Sequence, residues 1–371
     1  MTRRNVWITI GAVVVIAIVA VGIWQSRKPE GKVIKIGAIL PLTGKLSAMG
    51  QAERNAINLA LEEEGLKNVE VTFYDSQGDP STAISNIQRA TAIDGIRFFL
   101  CSLSGVSMAL KEWLEKEKRV DGFLGAVAFH PNLTKNAERT LRFIYDGRAE
   151  ARLIVKYLKD SKPTSVFVLA SQTPLEELEV KDVILPQLRS SGIQAKVEWF
   201  EFGAKDFRAQ VAKLKAQSPS HVVILGYGSD IKLLLAQMGA AEALDHSIIG
   251  GIGFLELRKG VPYEIVKGIK FVAPKFLIDE PRYAEISRRF REKYGQEMPY
   301  DAAYLYDATT VLAQVLGRVK TPAQARRYIL QNAFQGITGR FRFDSEGNLV
   351  TDLVVASYSK DFRLEVLGQE R

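Results

Sequence analysis

Residues 33–64 read VIKIGAILPLTGKLSAMGQAERNAINLALEEE, and this stretch decides the fold. The apolar run Val33–Leu40 has the length and composition of a strand. Ser47–Glu64 has helical periodicity, because small and apolar side chains recur on one face from Met49 to Ala60. A strand followed directly by an amphipathic helix predicts the first half of a βαβ unit.

The same alternation continues along the chain and starts again after residue 145. Further strands are predicted at Val69–Tyr74, Ile96–Cys101, Gly122–Ala126, Leu141–Ile144, Ser165–Ala170, Gln194–Phe200, His221–Leu225, Ser247–Gly250 and Gly268–Phe271, with β-like segments at Gly339–Phe343 and Leu353–Tyr358. Helices are predicted at Pro80–Ile93, Ser104–Lys118, Arg148–Lys159, Glu176–Ser190, Asp206–Gln217, Asp230–Met238, Pro281–Tyr294, Asp301–Leu316 and Thr321–Asn332. This order predicts an α/β protein with two doubly wound parallel-sheet lobes.

The front of the chain carries an export signal. Residues 1–5 form a short basic segment, and Val6–Trp24 is a run of 19 residues without a charge. A helix of that length spans the roughly 30 Å hydrocarbon layer, which favours a transmembrane anchor followed by a polar tether at residues 25–32. A cleaved signal peptide is the alternative, with a weak cleavage site near Gly22. Both interpretations place the remaining chain outside the cytoplasm.

The composition of the 371 residues excludes several classes of protein. The net charge is +8, but half of the excess lies before residue 33 and no basic run follows, so nucleic-acid binding is not expected. One cysteine and three histidines offer little material for a metal or catalytic centre. Phosphate-loop, dinucleotide and nucleophile-elbow patterns all fail on spacing. The sequence therefore predicts no cofactor, no metal, no catalytic residue and no enzymatic activity.

Several local strings resemble one known family in order and spacing. They are Ile34–Glu63, Tyr74–Pro80 (YDSQGDP), Cys101–Val106 (CSLSGV), Pro131–Thr134 (PNLT) and Leu225–Asp230 (LGYGSD). Together they resemble the type I periplasmic binding proteins of the branched-chain amino acid group, the substrate-binding receptors of ABC importers. The resemblance covers residues 33–371. It implies a small-molecule ligand held between two lobes that close by a hinge, and an ABC transporter permease as partner.

The resemblance also implies domain boundaries. The first lobe is expected at residues 33–145 plus 274–335, and the second at residues 146–273 plus 336–371. Three connections between the lobes are expected near Tyr145–Arg148, Val272–Pro274 and Gln335–Ile337. Ligands of open α/β sheets bind beyond the carboxyl ends of the strands, which places the site in the cleft between the lobes.

The best site candidates follow the third strand. Ser102, Leu103 and Ser104 lie between a strand and a helix start, where free N–H groups and the helix dipole favour an anion. Ser102 matches the serine with which the family grips a carboxylate. Ser104 fits equally well as a ligand contact and as a simple N-cap.

Other expected site positions depart from the family. Val127, Ala128 and Phe129 follow the fourth strand, and Phe129 replaces a small hydroxyl residue that holds the ligand's amino group. Ile252 stands where an acidic residue often neutralises that group. In the second lobe, Leu175 falls in a loop that commonly carries Tyr-Gly, whereas Tyr227 is retained. These departures predict a carboxylate or amino-acid-like ligand without the usual α-amino contacts, because an unpaired ammonium is costly to desolvate.

A second class of function remains open at this point. Related lobes serve as sensor ectodomains or as activators of cell-wall synthases, in which the cleft is degraded. The alternative is therefore a membrane-anchored regulatory or partner-binding protein.

Overall fold

The computed structural model describes residues 33–258 and 260–367. The strands are β1 (Ile34–Leu40), β2 (Val69–Asp75), β3 (Phe98–Ser102), β4 (Phe123–Val127), β5 (Thr140–Arg142), β6 (Val166–Ser171), β7 (Ala195–Phe200), β8 (His221–Leu225), β9 (Ser247–Gly250), β10 (Lys270–Pro274), β11 (Ala333–Gly336), β12 (Gly339–Phe343), β13 (Leu349–Val350), β14 (Leu353–Tyr358) and β15 (Leu364–Val366).

The α-helices alternate with these strands. They are α1 (Ser47–Glu63), α2 (Pro80–Ala92), α3 (Ser104–Lys116), α4 (Gly147–Ser161), α5 (Pro174–Leu178), α6 (Leu185–Ser190), α7 (Arg208–Gln217), α8 (Gly228–Ala240), α9 (Tyr263–Val266), α10 (Phe276–Asp279), α11 (Pro281–Tyr294), α12 (Tyr300–Leu316) and α13 (Pro322–Gln331). A π-helical segment, Glu179–Ile184, joins α5 to α6, and 3₁₀ turns lie at Pro131–Leu133 and Ile252–Arg258.

The strands form two large sheets, one in each lobe. The first lobe has five parallel strands in the order β2-β1-β3-β4-β5. The second lobe has the order β15-β14-β10-β9-β8-β6-β7, in which β6 to β10 run parallel. Strands β14 and β15 are antiparallel additions at one edge. The predicted α/β class with two parallel sheets is confirmed.

Helix α12 forms the centre of the first lobe. It is buried on almost every side because it packs against α1 as well as against the sheet. The facing side of α1 carries Ala52, Ala56 and Ala60, all fully or nearly fully buried. Side chains this small allow two helices to approach closely. The small-residue face seen in the sequence therefore serves helix packing.

The third connection between the lobes lies later than predicted. Gln335–Ile337 was expected to cross, but Gln335 and Gly336 belong to β11, in a small antiparallel sheet β11-β12-β13. Phe341 and Phe343 of this sheet pack in the core of the first lobe. Their burial keeps residues 336–350 with the first lobe, and the chain crosses at residues 351–352, before β14. The assignment of residues 336–350 to the second lobe is corrected accordingly.

The other two connections are displaced by a few residues. The expected first connection, Tyr145–Arg148, overlaps α4, which begins at Gly147 after an N-cap by Asp146. The expected second connection, Val272–Pro274, is still part of β10, so the chain leaves the second sheet after Pro274. In both cases the regular element extends further than sequence patterns indicate.

The predicted anchor Val6–Trp24 and the tether at residues 25–32 lie outside the described residues. Within residues 33–258 and 260–367, no helix has both the length and the apolar character needed to cross a membrane.

Candidate functional site

The predicted site residues lie at the carboxyl ends of strands or in the elements that follow them. The first lobe contributes Ser102, Leu103, Ser104, Val127, Ala128 and Phe129, and the second contributes Leu175, Tyr227 and Ile252. Side chains of the two lobes contact each other at these strand ends. Ile252, which follows β9 of the second lobe, is buried among side chains of the first-lobe core.

Ser102 is engaged by a buried carboxylate. Its hydroxyl donates a 2.7 Å hydrogen bond to Oε2 of Glu53, a residue of α1 with no exposed surface. Burial, and secondarily the charge of Asp301, hold the pKa of Glu53 well above its ordinary value. The Ser102 hydroxyl is therefore already paired with Glu53, whose raised pKa favours its protonated form.

The turn after Ser102 has a strained backbone. Leu103 has a φ of 69°, a left-handed conformation that is rare for residues other than glycine. It is also the N-cap residue of α3, which has no side-chain cap. Ser104 is the first residue inside the helix, so its interpretation as an N-cap is wrong. Left-handed conformations at such turns persist only where the surrounding structure fixes them.

The segment after β4 brings an aromatic ring towards the second lobe. Val127 and Ala128 are buried in the core, whereas Phe129 is only half-buried. The centroid of the Phe129 ring lies 5.1 Å from that of Tyr145 and 6.4 Å from that of Tyr300. Phe129 therefore belongs to an aromatic group at the junction of the two lobes.

Arg142 fixes the position of this segment. Its guanidinium donates to the carbonyl oxygens of Phe129, at 2.9 Å, and His130, at 2.6 Å. The residue has no exposed surface, and burial lowers the pKa of the guanidinium to about 10. Its two terminal nitrogens are used on backbone carbonyls, so Arg142 acts as a positioning residue of the loop.

A carboxylate lies beside Ile252, contrary to the expectation from sequence. The Ile252 N–H donates a 2.7 Å hydrogen bond to Oε1 of Glu150, in the first turn of α4. Glu150 is buried, and burial raises its pKa to about 8. The premise that this position lacks an acidic neighbour is therefore wrong. The acid is supplied by another element, 102 residues away in the chain.

Glu150 belongs to a cluster of buried acids, hereafter the acidic cluster, made of Glu150, Glu176 and Glu179. All three are at most 5% exposed. Burial raises the pKa of Glu176 to about 7 and that of Glu179 well above its ordinary value, and the charges of neighbouring carboxylates add to both shifts. Among the described residues, Oε1 of Glu179 has no hydrogen-bond partner, whereas Glu150 faces the hydroxyl of Tyr145.

The local structure explains how Glu179 joins this cluster. It begins the π-helical segment Glu179–Ile184, which runs into α6. Pro186, in the first turn of α6, has no N–H to donate to the carbonyl four residues earlier, which favours the wider helical turn here. The predicted helix Glu176–Ser190 is confirmed in extent, with this irregularity inside it.

Leu175 and Tyr227 lie close to the acidic cluster. A Cβ atom built on Gly147 would be 2.5 Å from Cδ1 of Leu175, 3.4 Å from Oε1 of Glu179 and 3.5 Å from the Phe129 carbonyl oxygen. Tyr227 is 44% exposed, and its ring centroid lies 4.8 Å from that of Phe202. The absence of a side chain at Gly147 therefore lets both lobes approach at this point.

Sequence patterns did not identify the acidic cluster. Glu176 stands three residues after Thr173, as in a helix-capping box, and the Thr173 hydroxyl donates to it. Glu150 lies in the first turn of α4, where acids commonly offset the helix dipole. Both positions have an ordinary local explanation. In the described part of the chain, the structure has no group of three or more acidic, histidine or cysteine side chains arranged to hold a metal ion.

Comparison with known proteins supports the fold and the family. The profile of the family described as periplasmic binding protein matches residues 33–363. The leucine-, isoleucine-, valine-, threonine-, and alanine-binding protein of Pseudomonas aeruginosa is 24% identical over 362 residues, which is 93% of this chain and 95% of that protein.

Two solved structures illustrate the structural similarity. LivJ of Streptococcus pneumoniae, a branched-chain amino acid transporter substrate-binding protein in complex with isoleucine, has a TM-score of 0.77 at 21% identity, covering 90% of this chain and 98% of that one. A solute-binding protein of an ABC transporter from Rhodopseudomonas palustris, in complex with 3,4-dihydroxybenzoic acid, has a TM-score of 0.79 at 15% identity, covering 89% and 94%. The chain therefore belongs to the type I periplasmic binding proteins, in the group similar to leucine/isoleucine/valine-binding proteins.

Proposed function

We propose that this protein is the extracytoplasmic receptor of an ABC importer and that it encloses one small ligand between its lobes. The family consists of solute-binding receptors and not of enzymes, and its location is outside the cytoplasm. The observation that carries the proposal is the convergence of Phe129 from the first lobe with Leu175 and the acidic cluster from the second. A ligand that contacts both lobes favours the closed state by its differential affinity.

The three connections fit a hinge. One of them follows β13 in a sheet that is held to α12 by Asp307. The Asp307 carboxylate accepts hydrogen bonds from the N–H groups of Ile337 and Thr338, at 2.8 and 3.0 Å, and from the Thr338 hydroxyl, at 2.6 Å. This firm attachment supports a rigid first lobe, so that bending falls on the few residues between β13 and β14.

We further propose that Val6–Trp24 keeps the receptor attached to the cytoplasmic membrane. The support is the length of the uncharged run and the absence of a cysteine directly after it, since Cys101 is the single cysteine of the chain. A receptor tethered in this way delivers its ligand to a permease in the same membrane. Carbonate extraction of membranes tests the tether, and release of the protein as soluble material would contradict it.

The ligand expected from sequence needs revision. A carboxylate without an α-amino group was expected because Phe129 and Ile252 replace amino-group contacts. Glu150 lies beside Ile252, and Ser102 already donates to Glu53. The site therefore has a carboxyl group where apolar surface was expected, and of the predicted hydroxyl residues Ser102, Ser104 and Tyr227, the first is already paired.

Closure can be measured with two spin labels on the full-length chain in detergent. Lys45 follows β1 and Lys205 follows β7, both exposed at the cleft side of their sheets, whereas Cys101 is buried and does not compete for label. In the variant carrying Lys45→Cys and Lys205→Cys, a true ligand is expected to shorten the label distance and to raise the Tm by mass action. An unchanged distance across a broad library of amines, acids and amides would contradict the receptor function.

A further inference from the structure

We propose that the protein has a second ligand site, which binds a small carboxylate with an apolar body at the junction of the two lobes. The site is a cavity of about 230 Å³ beside the second connection, between the 3₁₀ turn Ile252–Arg258 of the second lobe and helices α10 and α11 of the first. None of the site residues expected from sequence lines this cavity. The proposal therefore goes beyond the receptor function and does not depend on it.

The first lobe provides the apolar wall of the cavity. Phe276 and Leu277 of α10 line it, together with Met298, which precedes α12. The ring of Phe276 packs edge-to-face on that of Tyr283, with centroids 5.0 Å apart, and the Tyr283 hydroxyl donates a 3.1 Å hydrogen bond to the Met298 carbonyl oxygen. Because these contacts hold the wall in place, it can receive the apolar body of a ligand without rearranging.

The second lobe provides Arg258, an exposed residue at the end of the 3₁₀ turn. The turn is held by Tyr358, whose hydroxyl donates to the carbonyl oxygens of Phe254, at 2.9 Å, and Leu255, at 3.1 Å. Burial raises the pKa of Tyr283 to about 12, whereas the charge of Arg258 acts to lower it, so the guanidinium lies close to the first-lobe wall. Arg258 is therefore presented to the cavity by a fixed turn.

Four charged side chains line the cavity, and three of them already have partners. Nη1 of Arg291 lies 3.3 Å from Oε1 of Glu297, and the Glu280 carboxylate caps α11 by accepting from the Arg282 N–H. Within residues 33–258 and 260–367, the fourth, Arg258, forms no ion pair. A guanidinium presents its N–H donors as a planar fork that binds a carboxylate with two hydrogen bonds. The cavity therefore offers one unengaged anion-binding group.

The balance of charge in the lining favours a monoanion. Two arginines and two glutamates line the cavity, so their formal charges sum to zero. A phosphate dianion would have one unengaged cation, Arg258, and would be repelled by Glu280 and Glu297. An ammonium would be repelled by Arg258, which has no carboxylate of its own to offset it. A carboxylate with an apolar body matches both the single guanidinium and the wall around Phe276.

Occupancy of this cavity is expected to couple to movement of the lobes. Arg258 moves with the second lobe and Phe276 with the first, so an anion that contacts both favours the arrangement in which they face each other. Such coupling is reciprocal, and its usual size corresponds to a change of about 5- to 150-fold in the affinity of a second ligand. The cavity would therefore regulate binding at the strand ends without contributing to that site.

The test is calorimetry on the full-length chain in detergent with matched acids and amides. The probes 3-methylbutanoate and benzoate carry a carboxylate, 3-methylbutanamide and benzamide have the same body without the charge, and acetate has the charge without the body. We expect at least one of the two larger acids to bind about 10-fold more tightly than its amide, because a hydrogen bond to a charged group is lost in the amide. Acetate should bind more weakly than that acid, because it leaves the apolar wall uncovered.

Variants on the two opposite walls test the residues. Arg258→Met removes the charge and should lower acid affinity by about 10-fold, whereas Arg258→Lys keeps the charge without the fork and should fall between the two. Ala284→Leu places a larger side chain at the cavity from an exposed position of α11 and should also weaken binding. Arg288→Met is the matched control, because Arg288 lies on α11 outside the cavity lining, 55% exposed and paired with Glu292. An unchanged Tm checks that each variant is folded.

The outcomes separate this cavity from the cleft. Acid binding that is weakened in Arg258→Met and Ala284→Leu but kept in Arg288→Met supports the site. Failure of both larger acids to bind, equal binding of acids and amides, or unchanged affinity in Arg258→Met overturns it. Affinity lost in Arg258→Met but kept in Ala284→Leu would place the anion on the surface around Arg258, which also overturns a cavity site. The bound acid should shift the label distance between positions 45 and 205 in wild type and not in Arg258→Met; an unchanged distance in wild type would overturn the coupling to lobe movement.

Discussion

The substitution Glu150→Gln is expected to change the pH dependence of stability. The pKa of Glu150 is raised by burial from its ordinary 4.5 to about 8. A carboxyl group whose pKa is raised in the folded state stabilises the fold below its unfolded pKa, and this contribution is lost as the pH rises through the folded value. The wild-type chain should therefore lose stability between about pH 5 and pH 8.5.

The size of the effect follows from the same shift. At about 1.4 kcal/mol per pH unit, the rise from 4.5 to about 8 sets an upper bound of about 5 kcal/mol. The charge of Glu176 contributes to the raised pKa and stays in place in the variant, and structural relaxation reduces the effect of burial further. We expect Glu150→Gln to be more stable than wild type by roughly 2–3 kcal/mol at pH 8.5, and nearly equal to it at pH 5.

The assay is urea unfolding from pH 5 to pH 8.5, followed by tryptophan fluorescence. Trp199, in β7, reports on the second lobe, although the other tryptophans of the chain contribute to the signal. Glu177→Gln is the control for removal of one surface charge. Parallel pH profiles for wild type and Glu150→Gln would show that Glu150 ionises normally in the folded protein, and the account of the acidic cluster would be wrong.

Two further substitutions test how the first lobe is held. Gly336→Ala should destabilise the protein by about 3 kcal/mol, because the new Cβ would lie 2.3 Å from the Asp307 carboxylate, whereas Gly317→Ala, with nothing closer than 3.6 Å, should be neutral in the same denaturation assay. Equal stability of the two variants would show that Gly336 does not lie against the Asp307 carboxylate. Arg142→Met should leave the carbonyl oxygens of Phe129 and His130 unpaired, lowering stability by about 2–4 kcal/mol and weakening ligand binding; unchanged affinity would show that the loop does not depend on Arg142.

The strands could be predicted because the sequence pattern of each lies within a few neighbouring residues. Leu353–Tyr358 and Gly339–Phe343 were predicted with the bounds that the structure has, since the first is mostly apolar and the second alternates arginine with phenylalanine. The third connection could not be placed, because its position depends on where Phe341 packs. That choice is made by contacts with the first-lobe core and has no signature near residue 336.

The acidic cluster shows a second limit of sequence patterns. Glu150, Glu176 and Glu179 come together only because α4 packs against the helical segment that follows β6. Each acid has an ordinary explanation where it stands, and Ile252 looked like the loss of an acid at its own position. A missing charge in one loop can be supplied by another element, which a single sequence does not reveal.

The most direct test of the receptor function is native mass spectrometry of the full-length chain, purified rapidly from its own membranes. We expect a fraction of molecules to carry one small adduct. A chain that is always free of adduct, and whose label distance between positions 45 and 205 is the same with every compound tested, would contradict the central claim that this protein is a solute receptor.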